Sequence, residues 1–207
     1  MKVLSINVGM PRIVEYRGEP VATGIFKEPV EGMIGVSEFN LEGDGQADLR
    51  VHGGYYKAVY VYPSEHYEFW RRELPDVELP WGVFGENLTT EGILESDVRP
   101  GDRLRIGSAE FLVTLPRYPC YKLGIRFAHL KSNGIDKRSS ANTDGADGRR
   151  DLDILRRFTR SGRSGFYLAI EKTGELAAGD NIELSAGEND GKTIDEIFNE
   201  RVSTRNA

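Results

Sequence analysis

The chain has 207 residues, one cysteine and a formal net charge of −6. That balance argues against broad nucleic-acid binding, which clustered cations drive. A lone cysteine forms no internal disulfide, so nothing suggests an oxidising compartment. No apolar run approaches the roughly 18 residues of a membrane span, and the first residues turn polar too quickly for a signal peptide. The expectation is one soluble, cytoplasmic domain with at most a small appendage, long enough to bury a core without disulfides.

Residues 3–8 alternate apolar and polar, the period of a half-buried strand. Residues 21–26 and 36–41 are two further expected strands, with Gly32 and Gly35 in the connection between them. The acidic, glycine-rich run 42–54 reads as a loop. Its acids miss the EF-hand spacing, and the closing glutamate is missing at the expected place, so calcium fits poorly. His52-Gly53-Gly54 is either a plain turn or a place where backbone comes close to a ligand.

Residues 55–62 are rich in aromatic and β-branched residues and predict a strand. Residues 63–74 predict a helix with Ser64 as N-cap and Tyr67, Trp70 and Leu74 facing the core. Glu86 and Asn87 follow in a compact, glycine-flanked segment, where they serve either a site or the turn backbone. Pro100-Gly101-Asp102 is echoed by Ala178-Gly179-Asp180, each ahead of an alternating strand, and such units suit a barrel. Residues 131–150 are polar and predict disorder or a mobile lid. Leu152, Leu155 and Phe158 mark a short amphipathic helix. Ser161-Gly162-Arg163-Ser164-Gly165 is a tight loop, either an anion holder or a turn with an exposed arginine. A strand at 166–170 and a terminal helix at 193–202 complete the chain.

The chemistry concentrates at Pro116-Arg117-Tyr118-Pro119-Cys120-Tyr121-Lys122. An apolar strand at 111–115 leads in, and Leu123, Phe127 and Leu130 fall on one helical face beyond. Cys120 therefore stands where a strand has ended and a helix begins. Helix-start N–H groups and the neighbouring Arg117, Lys122 and Arg126 favour a thiolate, hence a nucleophile or soft metal ligand. The competing reading is a buried, inert core cysteine. A structural zinc site lacks ligands, since the histidines (His52, His66, His129) are scattered, and no Walker or dinucleotide glycine pattern occurs. Two chemistries stay open. One is a thiol hydrolase pairing Cys120 with His52. The other is a metal whose remaining ligands come with an organic cofactor, which needs one soft protein ligand.

Several motifs occur in order: Gly43-Asp44-Gly45-Gln46-Ala47-Asp48 with His52-Gly53-Gly54, Lys57-Ala58-Val59, Phe84-Gly85-Glu86-Asn87-Leu88, the Cys120 segment, and Ser161-Gly162-Arg163-Ser164-Gly165-Phe166-Tyr167. Together they resemble the MOSC-domain proteins of the YiiM-like branch over about residues 1–185. The resemblance implies a mainly β protein, a MOSC-type β-barrel with a few peripheral helices, followed by a tail (186–207) with one short helix. YiiM-like proteins commonly carry a helical domain after the barrel, which that tail is too short to hold. The resemblance also implies a molybdenum cofactor, a phosphorylated pterin whose dithiolene binds the metal, with Cys120 as metal ligand and catalytic residue. By position and charge, Arg117, Lys122, Arg126, Arg163 and Ser164 are expected at the pterin or its phosphate, and His52, Lys57 and Asn87 along the pocket. The implied activity is reduction of N-hydroxylated compounds, such as hydroxylaminopurine-type bases, with electrons from a separate reductase. A non-catalytic carrier of the cofactor or of sulfur on Cys120 is the alternative. Neither nucleic acid nor membrane is an expected partner, and the sequence leaves the oligomeric state open, a homodimer included.

Overall fold

Alternation along the strands sends successive side chains to opposite faces of a sheet, and here both faces are covered. The computed structural model describes residues 1–47, 53–133, 147–188 and 190–206. In chain order the strands are β1 (Lys2–Val8), β2 (Arg12–Tyr16), β3 (Glu19–Thr23), β4 (Glu28–Val30), β5 (Met33–Val36), β6 (Val59–Pro63), β7 (Leu88–Glu91), β8 (Arg103–Ile106), β9 (Ala109–Pro116), β10 (Phe166–Lys172), β11 (Gly174–Ala177) and β12 (Ile182–Ser185). The helices are α1 (Glu65–Glu73), α2 (Tyr121–Asn133), α3 (Asp147–Ser161) and α4 (Ile194–Asn206), with a 3-10 turn at Tyr55–Lys57.

Eight strands form one sheet in the order β12-β8-β9-β10-β6-β7-β1-β4. It is mixed, because β6 and β7 run parallel whereas the other pairs are antiparallel. No sheet among the described residues closes into a barrel, contrary to the expectation from the resemblance. Closure requires the two edge strands to pair. Here β1 already holds β4 on one side and β7 on the other. The chain entering β12 meets its start through the isolated bridge Lys2–Asn181 and the backbone hydrogen bonds of Val3 with Gly179 and Asp180 and of Met1 with Ile182, without a strand ladder between the two edges. Four further strands pair off separately, β2 with β3 and β5 with β11.

The central strand β6 shows how the sequence divides the interior. All five of its residues are buried. Val59 and Val61 join an aliphatic core with Phe111, Val113, Phe166 and Leu168. Tyr60 and Tyr62 point to the other face, into an aromatic core filled by α1, α2 and α3. Trp70 of α1 donates its indole N–H to the Tyr62 hydroxyl at 2.7 Å and stacks on Phe158 of α3. Burial of a ring such as Phe158 stabilises the fold by about 2–3 kcal/mol. No helix among the described residues is long and apolar enough to cross a membrane.

Local expectations fare unevenly. Tyr67 and Trp70 are buried as the helical period requires. Ser64 is not a side-chain cap: it has helical dihedrals, and its backbone N–H donates to the Thr90 carbonyl at 2.7 Å. The expected strand at 36–41 is a turn closed by a bridge between Val36 and Leu41, because β5 lies just ahead of it. The first three residues of the expected strand at 55–62 wind into the 3-10 turn. The two echoed Gly-Asp strands, β8 and β12, pair with each other, Ile106 opposite Ile182. Of the polar stretch 131–150, residues 134–146 lie outside the described residues.

Candidate functional site

Strand β9 ends at Pro116, α2 begins at Tyr121, and Cys120 sits at the join. The Leu123 N–H donates to the Cys120 carbonyl at 2.9 Å, which closes the first turn. The thiol is half-buried and lines a cleft enclosing about 650 Å³ not filled by protein atoms. Helix-start amides and nearby cations make this an electropositive setting for sulfur.

Arg117 forms the inner wall. It is 5% exposed, with its guanidinium 4.9 Å from the Tyr60 ring centroid and 5.3 Å from that of Phe158. It also hydrogen-bonds the Tyr167 side chain. Burial disfavours its charge, but Tyr60, Tyr167 and Cys120 outweigh that, and its pKa lies above the ordinary arginine value. The guanidinium is thus a permanent cation. Its Nη1 is buried with no hydrogen-bond partner among the described residues. Buried donors are nearly always paired, so this one is an exception that the protein's own described groups leave unsatisfied.

The wall is braced from behind. The Arg117 N–H reaches the Gly165 carbonyl at 3.4 Å. The Gly165 N–H donates to Glu95 at 2.6 Å, and Glu95 also meets His66 at 2.8 Å. Gly165 has φ +63, and a Cβ there would lie 2.4 Å from the Val61 carbonyl oxygen. Tyr118, also on the cleft, stacks on Phe198 of α4 at 5.3 Å, with the Arg201 guanidinium 4.2 Å from its ring centroid. The terminal helix therefore supports the segment that carries the thiol.

The floor is a closed polar network. Asp44 is ion-paired with Lys27 and accepts from the Gly9 N–H at 3.0 Å and the Asn87 amide at 2.8 Å. The Asn87 side-chain oxygen accepts from the Tyr60 N–H at 3.0 Å. Burial lowers the Lys27 pKa, although Asp44 counters the shift. Below, Glu86 accepts from the Tyr67 hydroxyl, the Gly82 and Phe84 N–H groups and the Thr89 hydroxyl. Burial raises its pKa despite those donors.

Of the residues singled out from sequence, Cys120, Lys57, Asn87, Arg117 and Lys122 line this one cleft. Arg126 lies one turn further along α2, outside the lining. Arg163 is placed elsewhere, its guanidinium 3.9 Å from the Phe69 ring centroid and bonded to the Ser161 carbonyl. Ser164 is buried, and its hydroxyl donates to the Gly165 carbonyl. His52 lies outside the described residues. No group of three or more His, Cys, Asp or Glu side chains able to hold a metal ion occurs among the described residues. Sequence reasoning missed Lys27 as a cleft residue. Its signal was a lysine directly after the apolar pair Ile25-Phe26. Asp44, between two glycines, was noticed only as part of a loop.

Comparison with known proteins fits this arrangement. The MOSC domain family matches residues 48–183. The uncharacterized protein YflK of Bacillus subtilis is 38% identical over 206 residues, 99% of this chain and 81% of that protein. The protein YiiM of Escherichia coli is 46% identical over 125 residues, 59% of this chain and 55% of that protein. The crystal structure of YiiM from Geobacillus stearothermophilus superposes with a TM-score of 0.72 at 27% identity, covering 100% of this chain and 86% of that one. The MOSC match over residues 48–183 and the likeness to YiiM proteins in sequence and structure place the chain in the MOSC-domain family, closely related to its YiiM branch.

Proposed function

We propose that the cleft holds a molybdenum cofactor and that the chain reduces N-hydroxylated compounds, taking electrons from a separate reductase. The observation that carries this reading is the pairing, in one cleft, of the Cys120 thiol with the buried, unsatisfied Nη1 of Arg117. The residues fit the group. A metal already held by a dithiolene needs one soft protein ligand, and a thiol at a helix start is such a ligand. The pterin and its phosphate need donors and positive charge, available from Arg117, Lys122 and Lys57. The bound cofactor would supply the two-electron chemistry that removes the hydroxyl oxygen. The chain would bind and orient the substrate against it, with Tyr60 and Tyr167 offering flat apolar surface beside the guanidinium. A fungal protein of Gibberella moniliformis named a reductase is 32% identical to this chain over 189 residues, 29% of its own length, which supports a redox role.

The test is metal and pterin analysis of protein from cells that make the cofactor, wild type beside Cys120→Ala. Molybdenum near one per chain, lost in the variant, is the expected result. Equal molybdenum in both, or none in either, overturns the ligand assignment. Cofactor-loaded protein that fails to turn over N-hydroxylated substrates with a chemical reductant would instead be a carrier.

A further inference from the structure

A second cationic feature lies beside the cleft, on the same face of α2. Lys122 lines the cleft, and Arg126 follows four residues later, one helical turn on. Arg126 faces Phe26, its guanidinium carbon 5.3 Å from the ring centroid. Arg12, at the start of β2, approaches the same ring at 3.7 Å. Two guanidinium groups thus converge on one phenyl ring. None of the ion pairs formed among the described residues includes either arginine. The Arg126 Nε is buried and has no hydrogen-bond partner among the described residues. Burial first, and then the charge of Arg12, lower the Arg126 pKa, while Glu28 and Glu86 act in the opposite sense. His129 packs edge-on against Phe26 at 5.1 Å and donates from Nδ1 to the Ile125 carbonyl.

Two like charges held together without a paired carboxylate repel each other, and the fold gains nothing from that by itself. An anion held beside them would offset the repulsion that Arg12 exerts on Arg126. Guanidinium forks match tetrahedral oxyanions, and each can offer two parallel N–H groups. We infer that Arg12 and Arg126 form an oxyanion subsite beside the cleft that takes a phosphate monoester group. Two sources share that chemistry: the phosphate of a pterin cofactor, and the phosphate of a nucleotide-type substrate. Assigning the source rests on the proposed function; the oxyanion site does not.

The probe is inorganic phosphate, followed by phosphorus NMR and by the melting midpoint at matched ionic strength in chloride. Phosphate should raise the wild-type midpoint where chloride does not. Arg12→Gln and Arg126→Gln should each weaken phosphate binding about tenfold or more, and Arg126→Lys should retain part of it. The near-UV circular dichroism spectrum should keep its wild-type form in all three, which reports an intact fold. An equal phosphate response in wild type and variants means an adventitious ion only and overturns the subsite, as does no response in the wild type. If a nucleoside 5′-monophosphate displaces phosphate and the nucleoside does not, the source is the substrate. If the two glutamine variants lose pterin while Cys120→Ala alone loses only metal, the source is the cofactor. Should Cys120→Ala keep its molybdenum, the cofactor-ligand reading fails while phosphate binding at the two arginines still stands or falls by itself.

Discussion

Asp44 and Arg117 are both buried, both charged and both on the cleft, yet their surroundings differ in kind. Asp44 meets a cation, a backbone N–H and an amide, so its acceptors are filled by the protein itself. Arg117 stacks on two rings, bonds one phenol and keeps an unused buried donor. A buried polar group that the fold satisfies stabilises the fold. A buried polar group that the fold leaves unsatisfied costs stability and is retained for something else. Under the proposed function the floor serves as structure and the wall as the place of recognition.

Substitutions test that division directly. The largest effect is expected at the floor. Asp44→Ala leaves Lys27 buried without its partner and should cost about 3–5 kcal/mol in denaturant unfolding. Adding Lys27→Met should recover part of that loss; no recovery would show that Asp44 acts through its other two donors. Glu86→Gln comes next, at about 1–3 kcal/mol, because an amide nitrogen must face donors. Its pH dependence has a definite sign. A carboxyl whose folded pKa is raised contributes stability that is fully present below pH 4.5 and is lost as pH rises through the elevated value. The deficit of Glu86→Gln relative to wild type should therefore narrow with rising pH, and a deficit that widens would contradict the raised pKa. The smallest stability effect belongs to the wall. Arg117→Met keeps an apolar stem over Tyr60 and removes an unsatisfied donor, so unfolding should shift by no more than about 1 kcal/mol. Alkylation of Cys120 should nonetheless slow severalfold, because the sulfur loses the charge of a buried guanidinium that interacts with it. A wall variant as unstable as Asp44→Ala would erase the distinction.

Much of this was legible in local sequence. Leu123 and Phe127 repeat at helical spacing and are buried on α2, so Cys120 could be placed at a helix start from composition alone. The ordered motifs gave the family. Long-range pairing was not legible. Residues 36–41 have strand composition, but Val36 bridges back to Leu41, and β5 finds its partner in β11, far along the chain. The barrel expectation rests on the family resemblance and the echoed turn-and-strand units, and neither fixes where strand edges go. Alternation says which face a side chain takes, and says nothing about whether two edges meet. Lys27 and Asp44 escaped for a related reason, since neither looks unusual until the fold brings them together. Arg163 shows the same limit: its glycine neighbours leave an anion loop and a plain turn open, and the fold sets its guanidinium against Phe69.

The turn at Gly165 carries a consequence for how this protein can vary over generations. Its backbone lies against the Val61 carbonyl and the rings of Tyr60 and Tyr62, so even one added methyl group collides with β6. At Gly32, which also has positive φ, nothing lies within 4 Å, and a side chain would meet backbone strain alone. Mutational drift can therefore pass through the second codon at modest cost and is barred from the first. The lineage can vary at an open turn such as Gly32, but the bend that supports Arg117 leaves it no intermediate to step through.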